Sequence, residues 1–228
     1  HETKNIETEQ SIVGKQARTT VDEVNETLTS WEQKLENNRK LIYGGVGAIV
    51  AVFAAVAIFI MVRNNGMQDA QNMVNKADME YVTKGDSAGL AAYKKAANES
   101  YAPANRAAQM AATILYKQKK YDEAIQLLEG SSFNGKIMGP AAQSLLADCY
   151  VNKKNYDKAI SNYDKAIKQA GDNESLTPII MKKKATVLHA TKKYDDELAV
   201  YEAMKTQFPR TALGMNIDKY IERAKASK

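Results

Sequence analysis

The sequence predicts an all-α protein with a single N-terminal transmembrane helix followed by an α-solenoid of about three to four helical hairpins and a C-terminal capping helix. Three observations carry this. Leu41 to Val62 is a run of 22 residues without a charge. Lys120-Tyr121-Asp122-Glu123-Ala124-Ile125, Asn155-Tyr156-Asp157-Lys158-Ala159-Ile160 and Lys193-Tyr194-Asp195-Asp196-Glu197-Leu198 align, with their tyrosines 35 and 38 residues apart. Pro103, Pro140 and Pro178 recur at steps of 37 and 38, each ahead of an apolar or Ala-rich run. Two independent markers sharing one period of this size indicate stacked repeats.

Composition sets the outer limits. Of 228 residues, 44% are hydrophobic and 26% charged, which suits a folded chain. Cys149 is the single cysteine, so no internal disulfide forms and stability rests on packing. Residues 1–40 carry six Lys or Arg against eight Asp or Glu, and those after Arg63 carry 25 against 19. Acids and bases are interleaved there, which reads as a mixed solvated surface and argues against nucleic acid as a partner.

Residues 1–19 are polar and lack a periodic apolar face, which predicts a flexible tail. From residue 20 to 40 an amphipathic juxtamembrane helix is expected. Thr20 and Glu23 form a capping box, and Val21, Val24, Leu28, Trp31 and Leu35 make one stripe by steps of three and four. That stripe suits docking on a partner or lying on the inner leaflet with Trp31 at the interface.

The uncharged run, residues 41–62, would reach roughly 33 Å as a helix, enough to cross a hydrocarbon core of about 30 Å. Forty residues precede it and no small-residue cleavage site follows it, so it is read as a retained span with membrane lipid around it. Lys34, Arg39 and Lys40 precede it closely, while Arg63 and then Lys76 follow it, a slight excess of positive charge on the N-terminal side that predicts a cytoplasmic N-terminus. Gly44 and Ala48, and Gly47, Ala51 and Ala55, repeat small residues every fourth position, the spacing that lets a second membrane helix approach.

Residues 63–100 read as a linker helix and a degenerate first repeat, with Gly85-Asp86-Ser87-Ala88 about one period before Tyr121. Residues 101–210 hold the clear repeats. Each proline opens a first helix, A, where its missing N–H is no loss. A Lys-rich turn follows, and each tyrosine then opens a second helix, B. Residues 211–228 form a helix that covers the open end.

Leu115 to Ile125 resembles the join between helices A and B of a tetratricopeptide repeat. The family's small helix-A residue matches Ala112, Ala147 and Ala185, and its large position matches Leu115, Tyr150 and Leu188. In helix B the alanine falls on Ala124 and Ala159 but is replaced by Glu197, the large position falls on Leu128, Tyr163 and Tyr201, and the terminal proline on Pro209 alone. The last repeat is therefore degenerate, as suits an end position. The resemblance implies a surface lined by helix A that binds other proteins. By register its candidate residues are Arg106, Gln109, Thr113, Tyr116, Ser144, Asp148, Asn152, Lys182, Thr186 and His189.

The order of features from Trp31 to Leu128 is also similar to the YfgM-like ancillary subunits of the bacterial Sec translocon. These have a short cytoplasmic tail, one span and a periplasmic repeat domain. The features are Trp31 to Leu41 before the span, Met61-Val62-Arg63 at its exit, the helix Gln68 to Tyr81, and Ser100-Tyr101 ahead of an Ala-rich helix. That resemblance implies location in the bacterial inner membrane and partnership with translocon subunits, periplasmic chaperones or exported chains. A scaffold of another envelope or secretion assembly would share the same features. No phosphate-binding glycine loop or zinc spacing is present, so neither a cofactor nor enzymatic activity is expected. Cys149, mid-helix among apolar residues, reads as a packing residue.

Overall fold

The computed structural model describes residues 23–228. The predicted 1–19 tail, together with Thr20 and Val21 of the capping box and apolar stripe, lies outside the described residues. Two compact units divide the chain at Arg63 and Asn64.

In the first unit residues 23–37 are helical, α1, and a turn at Asn38 leads into α2, Arg39–Lys84. The rest of the predicted stripe, Val24, Leu28, Trp31 and Leu35, is exposed along α1. Helix α2 is 46 residues long, and it is long and apolar enough to cross a membrane. Phe53, Ile58 and Phe59 are each more than 60% exposed on it. Such surface in water would be strongly unfavourable, whereas hydrocarbon removes the cost. A Cβ built on Gly44 or Gly47 meets nothing within 4 Å, so this face of the helix is open. The apolar run and the linker helix expected after it are one element, because nothing from Val62 to Thr83 breaks a helix except Gly66.

The second unit is a stack of four hairpins. The first pairs the C-terminal part of α2 with α3, Asp86–Ala97. The others are α4, Ala102–Lys117, with α5, Tyr121–Glu129; α6, Met138–Asn152, with α7, Tyr156–Ala170; and α8, Thr177–Ala190, with α9, Tyr194–Gln207. The short α10, Pro209–Gly214, and α11, Ile217–Ala226, pack on α9 and close the array. Pro103 and Pro178 sit at the first or second position of α4 and α8, and Pro140 in the first turn of α6, where the missing N–H costs nothing.

Small side chains set how closely the helices approach. Ala107, Ala111, Ala112, Ala124, Ala147, Ala159 and Ala185 are all fully buried. At the first hairpin Gly89 lets α3 press on α2 so closely that a Cβ there would lie 2.9 Å from the backbone of Tyr81. The larger residues then fill between hairpins. Val74, Tyr93 and Ile114 form one cluster, Leu115, Leu128, Leu146 and Tyr163 a second, and Leu188, Tyr201, Met204 and Ile221 a third. The first two clusters each join neighbouring hairpins, and the third joins the last hairpin to its cap, so no hairpin could bury its own apolar face alone.

The turns from helix A to helix B are built alike. After α4 the Lys119 N–H donates to the Tyr116 carbonyl and the Lys120 N–H to that of Leu115; Lys154 and Asn155 repeat this after α6, and Lys192 and Lys193 after α8. This is the Schellman closure of a helix end, whose central residue is left-handed and usually glycine. Here it is lysine each time, at φ 61°, 58° and 59°. A Cβ in that conformation costs about 1 kcal/mol.

Candidate functional site

The A helices α4, α6 and α8 carry the ten residues that register predicted. Their A-helix location follows from the hairpin pattern; what each side chain touches depends on its neighbours.

Tyr116, Asp148 and Asn152 come together. Asn152 Nδ2 donates to the Tyr116 hydroxyl at 3.2 Å and to the Asp148 carbonyl at 2.9 Å, joining α4 to α6. The Tyr116 ring meets the Tyr121 ring edge-on at 5.5 Å, and burial pushes its hydroxyl above the usual tyrosine range. One turn earlier the Asp148 carboxylate receives the Tyr163 hydroxyl at 2.5 Å and Lys183 Nζ at 2.5 Å. Burial and, after it, the Asp148 charge raise the Tyr163 hydroxyl so far that it stays a donor. The result is a continuous polar strip crossing three A helices, with Tyr116, Asn152, Asp148 and Lys183 in contact order. Gln109 and Thr113 extend it along α4, where the Thr113 hydroxyl bonds the Gln109 carbonyl at 2.8 Å. Thr186 extends it along α8, exposed and bonded to the Lys182 carbonyl.

Four of the ten residues have other tasks. Ser144 is only 5% exposed and belongs to the core. Arg106 reaches back to Asp78 of α2 at 2.9 Å. Burial pushes the Asp78 carboxyl up, but the hydrogen bonds from Tyr93 and Arg106 and the Arg106 charge outweigh it and hold the group below the usual carboxylate range. Lys182 lies over the Tyr220 ring of α11, 4.6 Å from its centre. His189 Nδ1 is 2.8 Å from Glu197, which Arg223 of α11 also holds at 3.0 Å. Glu197 occupies the position where the other repeats carry alanine and is fully buried.

Sequence reasoning missed Lys183, Asp78, Glu197 and Arg223. A signal existed for one of them, Asp78. Asp78–Tyr93 and Asp148–Tyr163 are both separated by 15 residues. In each pair a carboxylate on helix A receives the hydroxyl of helix B and a cation from the next A helix.

Chemically the strip can hold a ligand by hydrogen bonds and charge. Cys149 behind it is fully buried. Burial and then the Asp148 charge push its thiol up to about 12, so it packs as a thiol. Among the described residues no group of three His, Cys, Asp or Glu could hold a metal ion.

Comparison with known families agrees with this architecture. Residues 145–210 match the tetratricopeptide repeat, and residues 90–166 match the family described as anaphase-promoting complex, cyclosome, subunit 3. No curated protein matches the chain. The chain thus contains tetratricopeptide repeats preceded by one long apolar helix. Tetratricopeptide arrays are scaffolds that bind other proteins.

Proposed function

We propose that this protein is a membrane-anchored adaptor. Its apolar helix spans the bacterial cytoplasmic membrane with the N-terminus inside, and its repeats hold proteins on the periplasmic side. The observation that carries the reading is the strip Tyr116, Asn152, Asp148 and Lys183, a polar surface crossing successive A helices in a chain whose Leu41–Val62 segment exposes apolar side chains along a helix long enough to span a membrane. The finer assignment is an accessory subunit of the Sec translocon that receives newly exported chains or their chaperones. It is supported by the order of juxtamembrane helix, span, linker helix and Ala-rich repeats.

Photoreactive residues at Gly47 in the span and at Tyr116 in the strip, followed by mass spectrometry of the adducts made in cells, test it. Translocon subunits captured from Gly47 together with exported chains or chaperones captured from Tyr116 are the expected result. Adducts to other envelope proteins alone would assign the protein to a different assembly. Labelling of single introduced cysteines by a membrane-impermeant reagent tests the topology: Lys219→Cys is labelled in intact cells if the repeats are periplasmic, and is silent if they face the cytoplasm.

A further inference from the structure

Two Asn-Gly dipeptides occur in the chain, Asn65-Gly66 and Asn134-Gly135. In such a pair the main-chain nitrogen of the glycine lies next to the asparagine side-chain amide, with no Cβ to shield it. The fold puts the two pairs in opposite settings. Asn65 and Gly66 lie within α2, where the Gly66 N–H belongs to the helix ladder, and the Tyr101 ring packs directly on Gly66. Asn134 and Gly135 lie in the segment that joins α5 to α6, and both are exposed. Gly135 has φ 84°, the left-handed conformation that glycine adopts freely. Among the described residues its N–H donates to no backbone carbonyl. The residues around the pair are held. The Ser132 N–H donates to Asn105 Oδ1 at 3.1 Å, and Gln169 Nε2 of α7 donates to the Phe133 and Gly135 carbonyls, each at 3.2 Å.

We infer that Asn134 is a site of spontaneous deamidation, and that the reaction releases a clamp at the start of the third hairpin. The main-chain nitrogen of Gly135 bonds to Cγ of Asn134. The Cγ–Nδ2 bond breaks, and Nδ2 leaves as ammonia with the proton that the Gly135 nitrogen gives up. A cyclic imide remains, and water opens it. Addition at Cγ gives aspartate, whereas addition at the main-chain carbonyl carbon gives isoaspartate, whose chain runs on through Cβ and Cγ. Neither step needs an oxidant or a reductant. At Asn65 the same attack must wait for α2 to open, because the Gly66 nitrogen is held in the ladder. Isoaspartate lengthens the main chain between the Phe133 and Gly135 carbonyls, so Gln169 can no longer hold both. The Gln169 side chain also packs on Gly139 in the first turn of α6, and loosening it frees the start of that helix. The site is separate from the A-helix strip and stands whether or not the strip binds protein.

The test incubates the full chain in nanodiscs at physiological temperature in mildly alkaline buffer, which favours loss of the nitrogen's proton. Samples taken over time are cleaved after Lys and Arg and read by tandem mass spectrometry. Asn65 and Asn134 then fall on separate peptides, residues 64–76 and 121–136. In the folded chain Asn134 is expected to convert at least about tenfold faster than Asn65. The two peptides incubated after release, too short to hold a helix in water, should convert within about threefold of each other. Equal rates in the folded chain, or an Asn134 that stays unchanged while its released peptide converts, would overturn the site. A tenfold difference that persists in the released peptides would also overturn it, since local sequence and not the fold would then set the rates. The exposed variant Asn134→Ser cannot form the imide. Hydrogen exchange over residues 132–142 should be faster in the aged parent than in this variant aged alongside it, and identical exchange would overturn the release of the clamp.

Discussion

Asp148 receives the hydroxyl of Tyr163 and the ammonium of Lys183, each at 2.5 Å, so one carboxylate joins the two helices of its own hairpin to the first helix of the next. Asp78 does the same with Tyr93 and Arg106. The last hairpin breaks the pattern: Thr186 stands where Asp148 does one repeat earlier, and the buried Tyr201 hydroxyl has no hydrogen-bond partner among the described residues.

The two tyrosines should therefore respond oppositely to the same change. Tyr163→Phe removes a hydrogen bond to a charged group and should cost about 1.5 kcal/mol. Tyr201→Phe removes only an unsatisfied hydroxyl and should be neutral or stabilising by up to about 1 kcal/mol. Urea unfolding of the two variants checks this, and equal losses would contradict the structure.

Glu197 and Arg223 make a second asymmetric pair. Arg223→Ala leaves a fully buried carboxylate with His189 as its one remaining ion-pair partner among the described residues and should cost about 3 kcal/mol. Glu197→Ala puts in the residue that the other repeats use and frees Arg223 and His189, both partly exposed. It should cost less than about 1 kcal/mol. In the double variant Glu197→Ala should rescue most of the Arg223→Ala loss, a non-additivity that a double-mutant cycle measures directly.

At the turns, Lys119→Gly, Lys154→Gly and Lys192→Gly should each raise stability by about 0.5 kcal/mol, the relieved strain exceeding the added chain entropy. The triple variant should melt a few degrees higher, about 3–5 °C. A lower melting temperature would mean that these lysines make stabilising contacts.

Acid stability carries the signature of Asp78. Its carboxyl is held below the ordinary range in the folded chain. Its contribution is therefore present above the unfolded value, about 3.9, and is lost as pH falls through the lower folded value. Asp78→Asn should be less stable than the parent at neutral pH, with the gap narrowing as pH falls below the ordinary carboxylate range. A gap that stayed constant through that acid range would show that packing, and not the carboxylate, was lost.

The repeat fold was legible because its period is written in local chemistry. Prolines open A helices and Tyr-Asp pairs open B helices, and both are visible in one dimension. The long apolar helix was legible for the same reason. The strip was legible only by helix. Register placed Tyr116, Asp148 and Asn152 on A helices, but Lys183 bonds Asp148 across 35 residues, and which lysine of the run Lys182, Lys183 and Lys184 faces back is decided by helix rotation. Ser144 and His189 show the same limit. Ser144 is small enough to sit in the core, and the direction of His189 is set by Glu197, which looked like mere loss of the repeat pattern until Arg223 appeared beside it.

That buried carboxylate also restricts how the array can change length. Glu197 and Arg223 lie 26 residues apart in sequence and must remain in one contact. A duplicated hairpin inserted ahead of Thr177 would leave them together. One appended after Gln207 would part them and strand a charge in the interior. Growth by duplication is therefore open within the stack and closed at its C-terminal end.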